Sequence, residues 1–173
     1  MFTPDQQRVL RANLAPARVF QREGQSYLAA WDVRAHLTRL FGYGGWDFHV
    51  RDITCADHWA THNDEGQPSR FWATYRCTGS LTVFDGERYC TYEDAAVGEA
   101  RNQKSSGAAH DLALKSAVSG ALKRCAVNLG TQFGLSLYAG TTQDVVRKLV
   151  SDESTDLEVH PVEADDIEGG EYA

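Results

Sequence analysis

Cysteine is scarce, long apolar runs are missing, and the last stretch of the chain has no basic residue; each absence removes a class of function. The four cysteines, Cys55, Cys77, Cys90 and Cys125, lie far apart with no CxxC pair. A zinc cluster is therefore not expected, and such sparse usage suits reduced thiols in a cytosol. No apolar run approaches the roughly 20 residues that would cross a bilayer. The opening MFTPDQQRVL has neither a basic region nor an apolar one, so no secretory leader is expected. No internal repeat is visible. The expectation is a cytoplasmic protein with no membrane partner.

What is present is unevenly spread. A chain of 173 residues with 42% hydrophobic content fits one ordinary domain plus an appendage. The net charge of −7 argues at first against a polyanion partner. That total misleads, because Asp152, Glu153, Asp156, Glu158, Glu163, Asp165, Asp166, Glu168 and Glu171 sit in a stretch without Lys or Arg. Removing those nine from 24 acids leaves 15 against 17 bases over Met1–Ser151, a net of +2. The body, residues 1–150, is mildly basic. Residues 151–173 form an acidic tail with too little apolar content to fold alone, expected to be disordered. Such a tail can solubilise the protein, dock a basic partner or compete with nucleic acid for a cationic groove.

The pattern along the body is α+β. Thr3-Pro4-Asp5 opens a short helix to about Asn13, which Pro16 stops. Arg18 to Arg22 reads as a short extended piece, turned at Glu23-Gly24 and followed by a small strand around Tyr27-Leu28. Trp31, Val33, Leu37, Leu40 and Phe41 make a helical stripe ended by Gly42. Phe41, Tyr43 and Trp46 then read as core anchors around a glycine turn, with stacking platforms for bases as the alternative. Trp46, Phe48 and Val50 alternate with polar residues, and the phase slips near Asp52, which predicts a bulge or a bend. Asp57 to Pro68 reads as a polar loop. The clearest strand follows: Phe71, Ala73, Tyr75, Cys77, Gly79, Leu81 and Val83 share one face, while Arg70, Trp72, Thr74, Arg76, Thr78, Ser80 and Thr82 share the other. On that second face Trp72 and Arg70 suggest an interface or a nucleic-acid contact as much as simple exposure. Asp85-Gly86 marks a hairpin, and Arg88 to about Ala96 is the return strand. Val97 to Gly107 reads as a loop, either a connector or a nucleic-acid-contacting segment.

The stretch Gly107–Tyr138 organises the rest. Leu112, Ala113, Ala117, Ala121, Leu122, Cys125, Ala126 and Leu129 recur at spacings of three and four, predicting a helix over about Ala108–Leu129. Lys115, Ser116, Ser119 and Lys123 share a second side, with Arg124 about 100° around from Lys123. Gly120 inside the helix costs roughly 1 kcal/mol against alanine unless close packing compensates. Beyond it, Gln143–Val150 reads as a last helix capped by Thr141 or Thr142.

FGYGGW after a short amphipathic helix, a strand meander, and a helix running into ALKRCAVNLGTQFGLSLY together resemble the Rad52/Rad22 type of single-strand annealing protein, including its short phage and bacterial members. The resemblance covers about Leu14 to Tyr138 in order. It implies an antiparallel three-stranded meander packed on a long helix, flanking N- and C-terminal helices, and assembly into a closed homo-oligomeric ring. It further implies a protein that is not an enzyme and uses no cofactor. Such a protein binds single-stranded DNA in a cationic groove and anneals complementary strands without ATP, in homologous recombination or double-strand break repair. Its place would be the nucleoid or the cytoplasm of a phage-infected host. Its partners would be single-stranded DNA, further copies of itself, and a single-strand-binding protein or recombinase met through the acidic tail.

Carried onto this sequence, the family's DNA-contacting positions fall on Arg22, Lys104, Lys115, Lys123 and Arg124. A guanidinium grips phosphate as a planar fork and an ammonium as a point charge. Two positions depart from the family pattern: Phe84 stands where an outer-site lysine is usual, and Val127 where a groove arginine is usual. The competing reading is a metal-dependent nuclease built on Glu93, Asp94 and Glu99. Strand alternation counts against it, since Glu93 and Asp94 would face opposite sides of the sheet. An interaction module without a DNA role is the third reading.

Overall fold

The computed structural model describes residues 2–138 apart from residues 23 and 87. The expected last helix, 143–150, and the acidic tail, 151–173, lie outside the described residues. The first helix, α1, spans Pro4–Arg11, and a capping box between Thr3 and Gln6 satisfies its first amides. A single 3-10 turn, Pro16–Arg18, leads into a small hairpin of β1 (Val19–Arg22) and β2 (Gln25–Leu28). Helix α2 follows over Ala30–Phe41, and Gly42 leaves it with φ +80°, a conformation only glycine adopts without strain.

Three long antiparallel strands come next in the order β3-β4-β5: Trp46–His62, Pro68–Asp85 and Arg88–Gln103. The register shifts between Val50 and Asp52, where the alternation slipped in the sequence. Two expected loops are strand instead. β3 continues to His62 in place of a loop from Asp57, because its backbone pairs with β4 out to Pro68. β5 continues to Gln103 in place of a loop from Val97, its inward positions being filled by Gly98 and Ala100. Small inward residues hid the period-two signal there.

Helix α3, Ser106–Val127, crosses the sheet over β4 and β5. It starts two residues before the expected Ala108, because Ser105 Oγ accepts from the Ala108 amide and caps it there. Its contact stripe is alanine at every fourth position, Ala109, Ala113, Ala117 and Ala121, all buried. Such small side chains bring helix and sheet close. A Cβ on Gly98 would lie 2.2 Å from the Ala117 amide nitrogen, and one on Gly120 would lie 2.8 Å from Ala96 Cβ. The glycine that looked costly inside α3 is a close-packing position. Leu112, placed on the buried stripe from the sequence, is instead 47% exposed. It sits one residue before Ala113, about 100° around the helix from the stripe that meets the sheet.

The large side chains gather at the other end. Leu28, Val33, Leu37, Leu81, Val83, Leu122, Leu129 and Phe133 form the main core, beneath α2 and the 3-10 turn Thr131–Phe133. A short helix α4, Leu135–Tyr138, ends the described chain. Phe41 and Trp46 pack against this core as expected, but Tyr43 is 98% exposed, since the turn carrying it points away from the sheet.

Candidate nucleic-acid interface

The small β1–β2 hairpin is held by a buried polar network. Arg18 forks onto the Asp32 carboxylate at 2.8 to 3.1 Å and donates to Gln132 Oε1 at 2.8 Å. Gln132 in turn donates to the carbonyls of Ala12 and Asn13. One arginine thus ties the segment before β1 to α2 and to the turn after α3. Breaking such a buried pair leaves an uncompensated charge, so the network fixes where the hairpin sits. Nothing in the sequence spacing singled Arg18 out.

The hairpin lies beside the C-terminal half of α3, where the Lys123 ammonium stands 5.6 Å from the centre of the Tyr27 ring. Partial burial holds the Lys123 pKa below its ordinary value. Arg22 pairs with Gln25 across the hairpin, and Phe20 pairs with Tyr27. Residues two apart on a strand share a face, so Arg22 projects on the side that carries Phe20 and Tyr27. The fold therefore brings Arg22 and Lys123 to one surface. Phe20 packs against both Tyr27 and Trp31, adding an aromatic rim that sequence reasoning missed. Trp31, read as part of a core stripe, is 66% exposed. Only two residues from Val33, it is turned off the buried face of α2.

The other three positions stand apart. Arg124 faces β5 and donates to Asp94 Oδ1 at 2.9 Å. Lys115 pairs with Asp111 one turn away at 2.8 Å. Lys104 is exposed just before the α3 cap. At 1.5 Å per residue it lies roughly 30 Å along the helix from Lys123. The Arg124 and Lys115 pairs are surface ion pairs, worth about 0–1 kcal/mol, so a phosphate can displace either acid at little cost.

The three carboxylates of the nuclease reading are not brought together. Glu93 meets Arg51 at 3.3 Å on the open face of the sheet, and Asp94 meets Arg124 on the helix side. Glu99 is bound by Arg101 at 2.8 Å, and that hydrogen bond holds its carboxyl below the usual range. Among the described residues, no group of three or more His, Cys, Asp or Glu side chains is arranged to hold a metal ion. Nor, among them, is any helix long and apolar enough to cross a membrane.

A surface carrying Arg22, Lys123 and exposed aromatics beside a long helix on a three-stranded meander is the candidate site, and sequence comparison gives the family. Residues 4–155 match the signature of the Rad52/22 family double-strand break repair protein. Over 140 residues the chain is 31% identical to DNA repair and recombination protein RAD52 of Candida glabrata, covering 78% of this chain and 26% of that protein. It is 27% identical over 146 residues to DNA repair and recombination protein rti1 of Schizosaccharomyces pombe, covering 79% and 37%. It is 31% identical over 140 residues to the RAD52 protein of Saccharomyces cerevisiae, covering 78% and 28%. The chain belongs to the Rad52/22 family of DNA repair and recombination proteins. It spans about a quarter to a little over a third of the length of these relatives.

Proposed function

We propose that copies of this chain assemble into a ring that binds single-stranded DNA and anneals complementary strands without ATP, metal or bond chemistry. The observation that carries this reading is Lys123 standing over Tyr27, on the hairpin face that strand alternation also gives to Arg22, from elements a hundred residues apart in sequence. Repeated around a ring, that pair becomes a continuous track of cations. Each phosphate neutralised releases counterions, so affinity falls with salt by about 0.7 log units per contact for a single strand. Contacts to phosphate leave the base edges free to test a partner strand. Arg124, Lys115 and Lys104 extend the track once DNA displaces their acidic neighbours or reaches the far end of α3.

Assembly is supported by what α3 leaves uncovered. It lies over β4 and β5, while Val50 and Ile53 on β3 stay exposed, as do Leu112 and Leu114 on the helix. β3 and β5 are the sheet's two edges. Apolar surface beside open strand edges is an association site, and a neighbouring copy seats against the part of β3 that carries Val50 and Ile53. The acidic segment 151–173 is assigned to docking a basic partner, such as a recombinase or single-strand-binding protein, or to screening the empty track. If single-strand affinity and its salt slope are unchanged when 151–173 is deleted, the screening role is wrong.

The test of function is to mix complementary oligonucleotides with the protein in EDTA and without ATP. Accelerated annealing supports the proposal. Cleavage that appears only when magnesium is restored would favour the nuclease reading, and no effect on DNA in either condition an interaction module.

A further inference from the structure

The outer face of the sheet, opposite α3, carries a feature the groove does not use. Trp59 and Trp72 are direct partners across β3 and β4, with ring centres 4.0 Å apart and planes within 6°. Aromatic pairs in proteins ordinarily prefer offset or edge-to-face arrangements. The two rings here are stacked nearly parallel, as successive bases are in a nucleic acid. Trp59 is 49% exposed, and it belongs to an edge strand, with no strand beyond it among the described residues. The ring face turned away from Trp72 therefore meets solvent.

One cation lies beside the pair on the same face. Arg70 lies two residues before Trp72 on the same face and pairs across with Thr61, diagonal to Trp59. Diagonal neighbours on a sheet face are about 7–8 Å apart, within reach of a long side chain. Arg70 is exposed and has no ion-pair partner among the described residues. Glu99 is already bound by Arg101, and the other acids near this end of the sheet are Asp57 on β3 and Asp64 and Glu65 in the β3–β4 turn. A planar π surface open to solvent with a free guanidinium beside it suits a nucleobase and its phosphate. A cross-strand aromatic pair that only stabilised its hairpin, worth about 0.2–1 kcal/mol, would need neither the open face nor the arginine.

We propose that Trp59 and Trp72 form a stacking platform for a base of single-stranded DNA, with Arg70 holding the adjoining phosphate. This rests on the single-strand-binding reading and adds to it a contact made through bases, on the face away from Lys123. Base–aromatic stacking is sequence-tolerant and releases no counterions, so its contribution should persist at high salt.

The test compares the full chain with its Trp59→Leu, Trp72→Leu variant, titrating a labelled thymidine oligonucleotide and an abasic one of equal length at low and high salt. Leucine keeps apolar bulk on the strand and removes the ring. The variant should bind the thymidine strand about tenfold more weakly at both salts, the scale of one stacked base, and the abasic strand as the unchanged protein does. A Trp59→Phe, Trp72→Phe variant should recover most of the loss. Equal thymidine affinity in the leucine variant, or an equal drop for both strands, would overturn the platform while leaving the groove standing. An unchanged protein that binds neither strand would overturn both.

Discussion

The two ends of the sheet are built from different materials. At the end nearest α2, leucines, valines and Phe133 fill the space between helix and strands. At the end nearest the β3–β4 turn, the covered layer is Ala73, Ala100, Ala109 and Ala113. Each buried methylene is worth about 0.8 kcal/mol, so a leucine contact holds far more firmly than an alanine one. The firm end carries the hairpin, Arg22 and Lys123, where cations must stay in place to follow a phosphate backbone. The lean end carries Lys104 and the tryptophan pair.

The comparison breaks most completely where the two ends join. Gly98→Val would drive a side chain into the α3 backbone at Ala113 and Ala117, lifting the helix along its length. A loss of about 4 kcal/mol or more is expected, because backbone cannot step aside as a side chain can. Chemical denaturation measures it, and a loss under about 1 kcal/mol would contradict the close approach. Leu122→Ala at the firm end should cost about 3 kcal/mol, whereas Ala113→Gly at the lean end should cost about 1 kcal/mol. Equal costs would remove the distinction between the ends.

Acid should attack the firm end selectively. His36 is buried against Phe133, and burial, then Arg18 and Arg39, lowers its pKa from 6.5 to about 4, against a smaller opposing pull from Asp32. Arg39 donates to Nδ1, which places the ring proton on Nε2, where no partner lies among the described residues. The unfolded chain binds the proton first as pH falls, so this stability is whole above pH 6.5 and drains away between 6.5 and 4. Up to about 3 kcal/mol is at stake, at 1.36 kcal/mol per pKa unit. Urea midpoints measured across that range should fall for the natural chain and stay flatter for His36→Gln; parallel curves would refute the assignment. The smallest expected difference is in hydrogen exchange: amides of residues 79–83 in β4 should be better protected than those of 69–74. A uniform profile along β4 would mean the alanine layer holds as well as the leucine one.

Where sequence and structure agree, a buried face imposed a period that could be read. Phe71 to Val83 alternated cleanly because one side of β4 meets α3, and the slip near Asp52 is a true register shift. The far halves of β3 and β5 were illegible for the opposite reason. Helix α3 reaches the far half of β3 only at its margin, where His58 meets His110, so the inward residues there did not have to be apolar, and the helix comes so near β5 that only Gly98 and Ala100 fit. Composition then mimicked a loop. The cationic site was half legible: Lys123 stood out on its helix, but its meeting with Arg22 depends on Arg18, Asp32 and Gln132, which no local spacing connects. Tyr43 was misplaced because an aromatic near a glycine turn looks the same in sequence whether it faces core or solvent, and Trp31 because it was added to a helical stripe whose phase, set by Val33 and Leu37, turns it outward.

The most direct test of the central claim takes Arg22→Ala and Lys123→Ala separately and measures, on the same samples, oligomer mass by light scattering and affinity for a labelled single strand by anisotropy. Oligomer mass should match the natural chain. Affinity should drop in each variant, with the salt slope shallower by about 0.7 for the one contact removed. Full-strength binding in both variants, with an unchanged slope, would contradict the account.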